Sequence, residues 1–327
     1  MSPDLAVRPE KTQQPRFDVV SFLRDYAVLI LLVVLVVVLS AMSPVFFTAP
    51  NLLNIVTQNA PVAIIAIAGT FVIISGNFDL SVASIYAVGS VVAASIAVAT
   101  DDVLLGLLAP PVLGMALGLA NGFAVTKLHV HSFLATLASS MVFGSLAVMI
   151  TGGSLITVTV DGFSELGRGR TLGVFNAVWV LLLLVVVGTV LLTRTTFGRH
   201  VFAVGGNPAA AELSGLSVDR IRILVFGLSG LAAGIASAIG VSRISSGQPL
   251  AGAGLELQAI AAVVLGGTSI NGGAGAVWRS IAGVFLIALI GNGFDLMNIN
   301  PQMKDLVTGV IILVAVAVGV MGRRRRR

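Results

Sequence analysis

From Tyr26 to Phe78 the chain carries no charged side chain. A stretch this long and this apolar belongs in hydrocarbon, where about 20 apolar residues make one helical crossing. Its composition agrees: 57% of the 327 residues are hydrophobic and 10% are charged, against about a quarter charged in soluble domains. Aromatic residues are few at 6%, while glycine reaches 37, which suits helices whose backbones approach through small side chains. The sequence thus predicts an all-α polytopic membrane protein.

About ten spans can be drawn, near 25–44, 58–76, 80–99, 103–125, 132–151, 174–193, 220–241, 255–270, 276–293 and 303–321. In the uncharged stretch, Pro44, Pro50, Asn51, Asn54 and Pro61 are expected to mark an interfacial connection between the first two. Gly266, Gly267, Gly272, Gly273 and Gly275 interrupt the eighth and ninth, so these are expected to be broken or re-entrant. A polar segment, 1–25, precedes the first span. This is unlike a secretory signal, whose short basic region directly abuts its apolar core, so the first span is expected to be retained.

Lysine and arginine set the orientation, because short cytoplasmic loops are enriched in them. With ten spans and a cytoplasmic N-terminus, the inside receives Arg8, Lys11, Arg16, Arg24, Lys127, Arg194, Arg199, Arg220, Arg222, Arg279 and Arg323 to Arg327, and the outside only Arg168, Arg170, Arg243 and Lys304. Both termini are therefore expected in the cytoplasm. The chain reads as the segment 1–25, a single permease domain over 26–322 with a cytoplasmic loop at 194–222, and a basic tail at 323–327 that pins the last helix end inside and could attract anionic membrane lipid.

Several chemistries are excluded. With no cysteine there is no disulfide, thiolate metal site or cysteine nucleophile, and three histidines leave little for a metal cluster. Lys11, Lys127 and Lys304 are the only lysines, and none follows a glycine, so no phosphate-binding loop of the Gly-Lys-Ser/Thr type is present. His129 and His131 read as ordinary interfacial residues. No catalytic or metal-ligating constellation stands out, and nothing points to nucleic acid.

Ionisable groups at membrane depth are costly and usually serve a pathway. Asp79, in "SGNFDLSVAS", and Glu256, in "GQPLAGAGLELQA", are the best placed. Asp79 is expected to cap the following helix, a role compatible with contact to a polar solute. Asn77, Ser81 and Gln248 complete a candidate path of largely neutral hydrogen-bonding groups. The segments after the second and seventh spans share a Ser-Gly, a polar turn and a small-residue helix, which suggests inverted repeats of spans 2–5 and 7–10, a transporter signature. Residues alone leave open an ion-coupled transporter, with Asp79 or Glu256 as a proton or sodium site, and an intramembrane enzyme.

Residues 205–216, "GGNPAAAELSGL", form a second feature. Asn207 is a favourable N-cap, Pro208 fits the first turn and Gly215 can close the helix in a left-handed conformation. The helix is too short to stand alone in water and needs a surface to pack on.

The motifs "GNFDLSVAS" (76–84), "TTFGRHVFAVGGNPAAAELSGLSVDRIRILVFGLSGLAAGIA" (195–236), "SRISSGQPLAGAGLELQAIAAVVLGGTSINGGAGAVW" (242–278) and the closing "LVTGVIILVAV" closely resemble the ribose/xylose-type sugar permeases of bacterial ABC importers, in order and over about 40–320. The resemblance implies a homodimeric permease of the bacterial cytoplasmic membrane. It would take a pentose, hexose or related polyol from an extracytoplasmic binding protein and be driven by a separate ATPase subunit. That subunit would use ATP and magnesium, with no cofactor bound by this chain. Related permeases for branched-chain amino acids or nucleosides remain the alternative. The resemblance also implies that Gly205, Gly206, Asn207, Glu212, Leu213, Ser214 and Gly215 belong to the segment that meets the ATPase. The chain departs from the family pattern at Pro208, where an acidic residue is common, and at Glu212, where a basic one is.

Overall fold

The computed structural model describes residues 26–300 and, beyond them, positions 302, 303, 306, 307, 309, 310 and 313. The segment 1–25, most of the tenth candidate span and the tail 323–327 lie outside the described residues. Within residues 26–300, twelve helices run in chain order: α1 Ala27–Met42, α2 Ala49–Ile74, α3 Val82–Thr100, α4 Val103–Lys127, α5 Ser132–Thr151, α6 Glu165–Arg168, α7 Asn176–Arg194, α8 Thr196–Gly206, α9 Pro208–Leu213, α10 Val218–Ile244, α11 Leu255–Leu265 and α12 Val277–Leu296. Four two-residue strands, β1 Ile156–Thr157, β2 Arg170–Thr171, β3 Val174–Phe175 and β4 Ser246–Gly247, form two antiparallel pairs, β1 with β4 and β2 with β3. Helices α2, α3, α4, α5, α7, α10 and α12 are long and apolar enough to cross a membrane, whereas α1 and α11 are shorter. The protein is an all-α polytopic membrane protein.

The second span corrects the sequence reading. Pro50, Asn51, Asn54 and Pro61 do not form a connection; they lie inside α2, which begins at Ala49. Pro50 sits in the first turn, where its missing N–H costs nothing. Asn51 turns its amide to the Phe46 carbonyl, at 2.8 Å. Pro61 removes one helical hydrogen bond, a loss tolerated inside a bundle that holds the helix from all sides. The eighth span is indeed interrupted: α11 stops at Leu265, and the glycine-rich loop 266–276 follows. The ninth is not: Gly266 to Gly275 all precede it, and α12 runs unbroken from Val277 to Leu296.

Helix α2 is the axis of the molecule. Of its most apolar window, 83% is buried, against 22% in α4 and 11% in α5, which lie at the rim. Helices α10, α12, α7 and α11 pack against α2, and small and β-branched side chains such as Ala66 and Ala262 lie in the shared core. The tightest seam joins α4 to α10, where Gly114 lies against the Gly230 backbone and Gly118 against Phe226, so the two helices run antiparallel. Any Cβ at Gly230 would collide with the Gly114 backbone; only glycine lets the axes come this close.

The packing has an internal equivalence. Helix α4 packs on α10 as α12 packs on α2; α3 packs on α4 as α11 on α12; and α3 packs on α10 as α11 on α2. Exchanging the set α2 to α4 for the set α10 to α12 leaves the pattern unchanged. Like the α4–α10 pair, α2 and α12 are antiparallel, as the bonds Thr70 to Ser280 (2.7 Å) and Asn51 to Asn292 (3.1 Å) require.

The connections sort into two ends. One end gathers the α2–α3 turn, the α4–α5 turn, α8, α9 and the loop 266–276, held by the Gly273 N–H on the Ile74 carbonyl (2.8 Å) and the Lys127–Asp219 ion pair (2.7 Å). The other gathers the segment 152–175 and the turn after α10. There Val158 N–H reaches the Ser245 carbonyl (2.9 Å), Gly167 N–H the Ser242 hydroxyl (2.9 Å), and Arg168 Nε the Arg243 carbonyl.

Candidate functional site

The turn from Ser75 to Ser81 is built almost wholly from hydrogen bonds. Asn77, buried, donates from Nδ2 to the Ser75 carbonyl (3.1 Å) and hydroxyl (3.0 Å). Asp79 Oδ1 accepts from both the N–H (2.9 Å) and the hydroxyl (2.6 Å) of Ser81. Ser81, not Asp79, occupies the N-cap of α3. The expected capping carboxylate instead braces the cap residue from two positions upstream, because the chain enters the helix only at Val82.

Neighbouring helices pin this turn. Asn121 of α4 donates to the Ser81 hydroxyl at 2.7 Å. At the start of α5, Ser132 and Thr136 accept from Phe78 N–H (3.2 Å) and Leu80 N–H (3.0 Å). Sequence reasoning missed all three. A signal was present in that Asn121 and Thr136 are polar residues in apolar helical stretches and Ser132 opens a helix, but nothing in one sequence says which turn such a residue will meet.

Asp79 and Glu256 come together on one small cavity of 20 Å³, room for about one water. Ile65, Gly69, Val72 and Ile73 of α2, Val82 of α3, Ser229 of α10, and Ala259 and Ile260 of α11 complete its wall. Asp79 Oδ2 and Glu256 Oε2 are enclosed and accept no hydrogen bond among the described residues. One acid stands at the start of α3 and the other at the start of α11, equivalent positions in the two exchanged sets. Gln248 does not join them. It is exposed beside β4, with its N–H on the Ser90 hydroxyl at 3.2 Å.

The loop 194–222 holds more structure than the sequence reading gave it. Besides α9 it contains α8, started by Thr195, whose hydroxyl accepts from Gly198 N–H at 3.2 Å. Helix α8 buries Gly198, Val201, Val204 and Gly205 on one stripe, and its Phe197 stacks on Phe71 of α2 with ring centres 6.2 Å apart. The spacing of Phe197, Val201 and Val204 carried this helix in the sequence.

Helix α9 forms as expected. Asn207 caps it, accepting from Ala210 N–H at 3.1 Å. At its other end Gly215 is left-handed (φ 84°), with Gly215 N–H on the Glu212 carbonyl (2.9 Å) and Leu216 N–H on the Ala211 carbonyl (3.0 Å). These two bonds define a Schellman closure. Only Ala211 of α9 is buried; Glu212, Ser214 and Gly215 are exposed, and Leu213 is 91% exposed.

Gly205 and Gly206 separate in role. Gly206 faces open space, whereas Gly205 is buried against the Ile74 carbonyl, where Gly272 and Gly273 also meet. The end of α8, the end of α2 and the loop 266–276 thus join backbone to backbone at the root of the Asn77–Asp79 turn.

Buried polar groups and two carboxylates inside a set of exchangeable helices, beside a capped helix that presents its side chains at one end, are the features of a membrane permease component. The family described as branched-chain amino acid transport system / permease component matches residues 51–316, and the chain belongs to it. Among its relatives are "Ribose import permease protein RbsC" of Escherichia coli (strain K12), 40% identical over 307 residues covering 93% of this chain and 96% of the relative, and the protein of the same name in Bacillus subtilis (strain 168), 39% identical over 308 residues, 94% and 96%. "L-arabinose ABC transporter permease protein AraH" of Azospirillum brasilense is 36% identical over 326 residues, 100% and 95%. No solved structure matches the chain.

Proposed function

We infer that this chain is the permease subunit of an ATP-binding-cassette importer in the bacterial cytoplasmic membrane, and that its cargo is a sugar, either a pentose, a hexose or a related polyol. The observation that carries this reading is identity of 36–40% along nearly the whole chain to permeases named for ribose and L-arabinose. The chemistry of the interior agrees. An amino-acid cargo calls for fixed charges to meet its ammonium and carboxylate, whereas Ser81, Ser229 and Asn77 near Asp79 suit hydroxyls.

The path runs past Asn77, Asp79, Ser81, Gln248 and Glu256. The sugar comes from an extracytoplasmic binding protein, and movement is driven by a separate ATPase subunit that uses ATP and magnesium. The ATPase seats Asn207, Glu212, Leu213, Ser214 and Gly215, while Gly205, next to the exposed Gly206, carries the motion inward. An isolated helix of six residues does not persist in water, and one that leaves a leucine bare at its tip fits a partner's cleft.

The exchange symmetry of the packing, with antiparallel seams, supports inverted repeats of spans 2–5 and 7–10 within a ten-span chain. The end bearing α8 and α9 carries Lys127, Arg194, Arg199, Arg220, Arg222 and Arg279, while Arg168, Arg170 and Arg243 lie at the other. This supports a cytoplasmic coupling end and cytoplasmic termini. The permease acts as a homodimer embedded in membrane lipid, with the rim helices giving ample apolar surface for both neighbours.

Reconstitution tests the reading. Permease, ATPase and binding protein in liposomes should accumulate labelled D-ribose or L-arabinose when ATP is supplied. Accumulation of leucine with no sugar would overturn the cargo; sugar uptake by the permease alone on a proton or sodium gradient would overturn the ATP-driven mechanism.

A further inference from the structure

A second cavity, of 410 Å³, opens at the end of the molecule opposite α9. The first three turns of α2, the last turns of α12 and Gln258 of α11 enclose it. Its polar wall is composed of Asn51, Asn54, Gln58, Asn59, Gln258, Asn292 and Asp295. Six amides and one carboxylate on one wall are unusual in a chain with so few polar residues, and the amides in α2 come from the segment that reads in the sequence as a mere connection.

The wall is braced and yet leaves hydrogen-bonding capacity. Asn51 and Asn292 bond reciprocally across the α2–α12 seam, at 3.1 Å and 3.0 Å. Gln58 donates to Asn54 Oδ1 at 2.9 Å, and Asn59 to the Ile55 carbonyl at 2.8 Å. This leaves the Asn54 amino group, the Gln58 and Asn59 side-chain carbonyls and the Gln258 side chain without hydrogen bonds among the described residues. Each amide offers both donors and acceptors, the pairing that a vicinal hydroxyl group needs. A cavity of this size with a few convergent polar groups has the dimensions of a small-molecule site.

The cavity also lies on the line of the inner one. Asn59 lines the first and Ile65 the second, six residues or about 9 Å apart along α2. On α11, Gln258 lines the first, while Glu256 and Ala259 line the second. Between them α2 is closed by Pro61, Val62 and Ala63, all buried.

We propose that this amide-lined vestibule is a binding site for a neutral polyhydroxylated ligand, the first station of the cargo before it reaches Asp79 and Glu256. The proposal rests on the sugar-permease reading and adds to it a site, a ligand class and a set of residues. Neutral amides bind hydroxyls without the desolvation penalty of fixed charges, so affinity stays weak and release inward stays possible.

The probe is D-ribose, with leucine as control, read by saturation-transfer NMR on the purified full-length permease in nanodiscs. Wild type should transfer saturation to ribose and not to leucine. Gln58→Leu with Gln258→Leu should weaken that signal about tenfold, the loss of roughly one or two hydrogen bonds, and should raise the KM for ribose uptake by the complete importer. Where the double variant fails to reach the membrane, Gln258→Met, which conserves volume and breaks no bond, is read in the same way. Unchanged ribose signal and KM in a well-inserted variant would overturn the vestibule while leaving the permease reading intact. A wild-type importer that carries no sugar would overturn that reading instead.

Discussion

Replacing Gly205 by alanine tests the coupling joint more directly than any change in α9. The new Cβ would stand 2.7 Å from the Ile74 carbonyl carbon and 2.9 Å from the Gly273 nitrogen, with the Ile74 oxygen closer still. Carbon atoms rest at about 3.5 Å or more, so the carbon alone demands a withdrawal of about 0.8 Å and the oxygen demands more. None of the three obstacles is a flexible side chain. The end of α8 must back away, and the bond from Gly273 N–H to the same carbonyl, 2.8 Å long, is strained or lost. Overpacking of this kind costs about 1–3 kcal/mol. Gly206→Ala is the matched control, because a methyl there meets nothing within 4 Å and a helical glycine replaced by alanine gains about 0.5–1 kcal/mol. The assay is ATP-driven sugar uptake by the reconstituted importer, set beside ATP hydrolysis in the same vesicles. Gly205→Ala should lower uptake per ATP hydrolysed by about tenfold, equivalent to about 1.4 kcal/mol lost at the joint, with the protein still inserted; Gly206→Ala should match wild type. Equal uptake by both variants would refute the reasoning that motion passes from α8 to Ile74.

Glu212→Lys reverses an exposed charge on α9 and should impair ATPase coupling with membrane insertion intact, as seen by hydrolysis no longer stimulated by loaded binding protein. Asp79→Asn keeps an acceptor for Ser81 but removes the charge facing the inner cavity; it should alter the uptake rate at normal protein level, whereas Asp79→Ala also loses the Ser81 brace and should lower the level itself. Thr70→Val deletes the buried hydroxyl bond to Ser280 and should lower resistance to unfolding in mixed detergent by about 0.6 kcal/mol, the usual worth of such a bond between membrane helices. Gly230→Ala drives a methyl into the Gly114 backbone and should cost about 1–3 kcal/mol in the same titration.

Much of the fold was legible because hydropathy depends on composition along the chain, and hydrocarbon imposes one length on every crossing. The third to seventh spans fall within a few residues of α3, α4, α5, α7 and α10. The caps of α9 were legible for a related reason, since Asn207, Pro208 and Gly215 act through local backbone geometry. Helix α2 was misplaced because proline and asparagine carry turn signals in water, and those signals weaken where a helix start or a surrounding bundle satisfies the backbone. Helix α8 was overlooked because its apolar stripe is short and sits within a basic loop.

The site divides along the same boundary. Asp79 and Glu256 could be singled out from the sequence, because a carboxylate amid apolar residues is costly wherever the chain goes. That they share one cavity was decided only when α2, α10 and α11 packed together, and the same packing left Gln248 outside it. Asn121, Ser132 and Thr136 became partners of the Asn77–Ser81 turn through contacts 40 or more residues apart in the chain, which no local pattern encodes. The sequence by itself determined that the chain lies in a membrane as helices and where its soluble helix begins and ends, because solvent and backbone act locally. The tertiary structure alone decided which polar groups meet, because that depends on which helices approach closely, and glycine seams such as Gly114 on Gly230 set that approach through space.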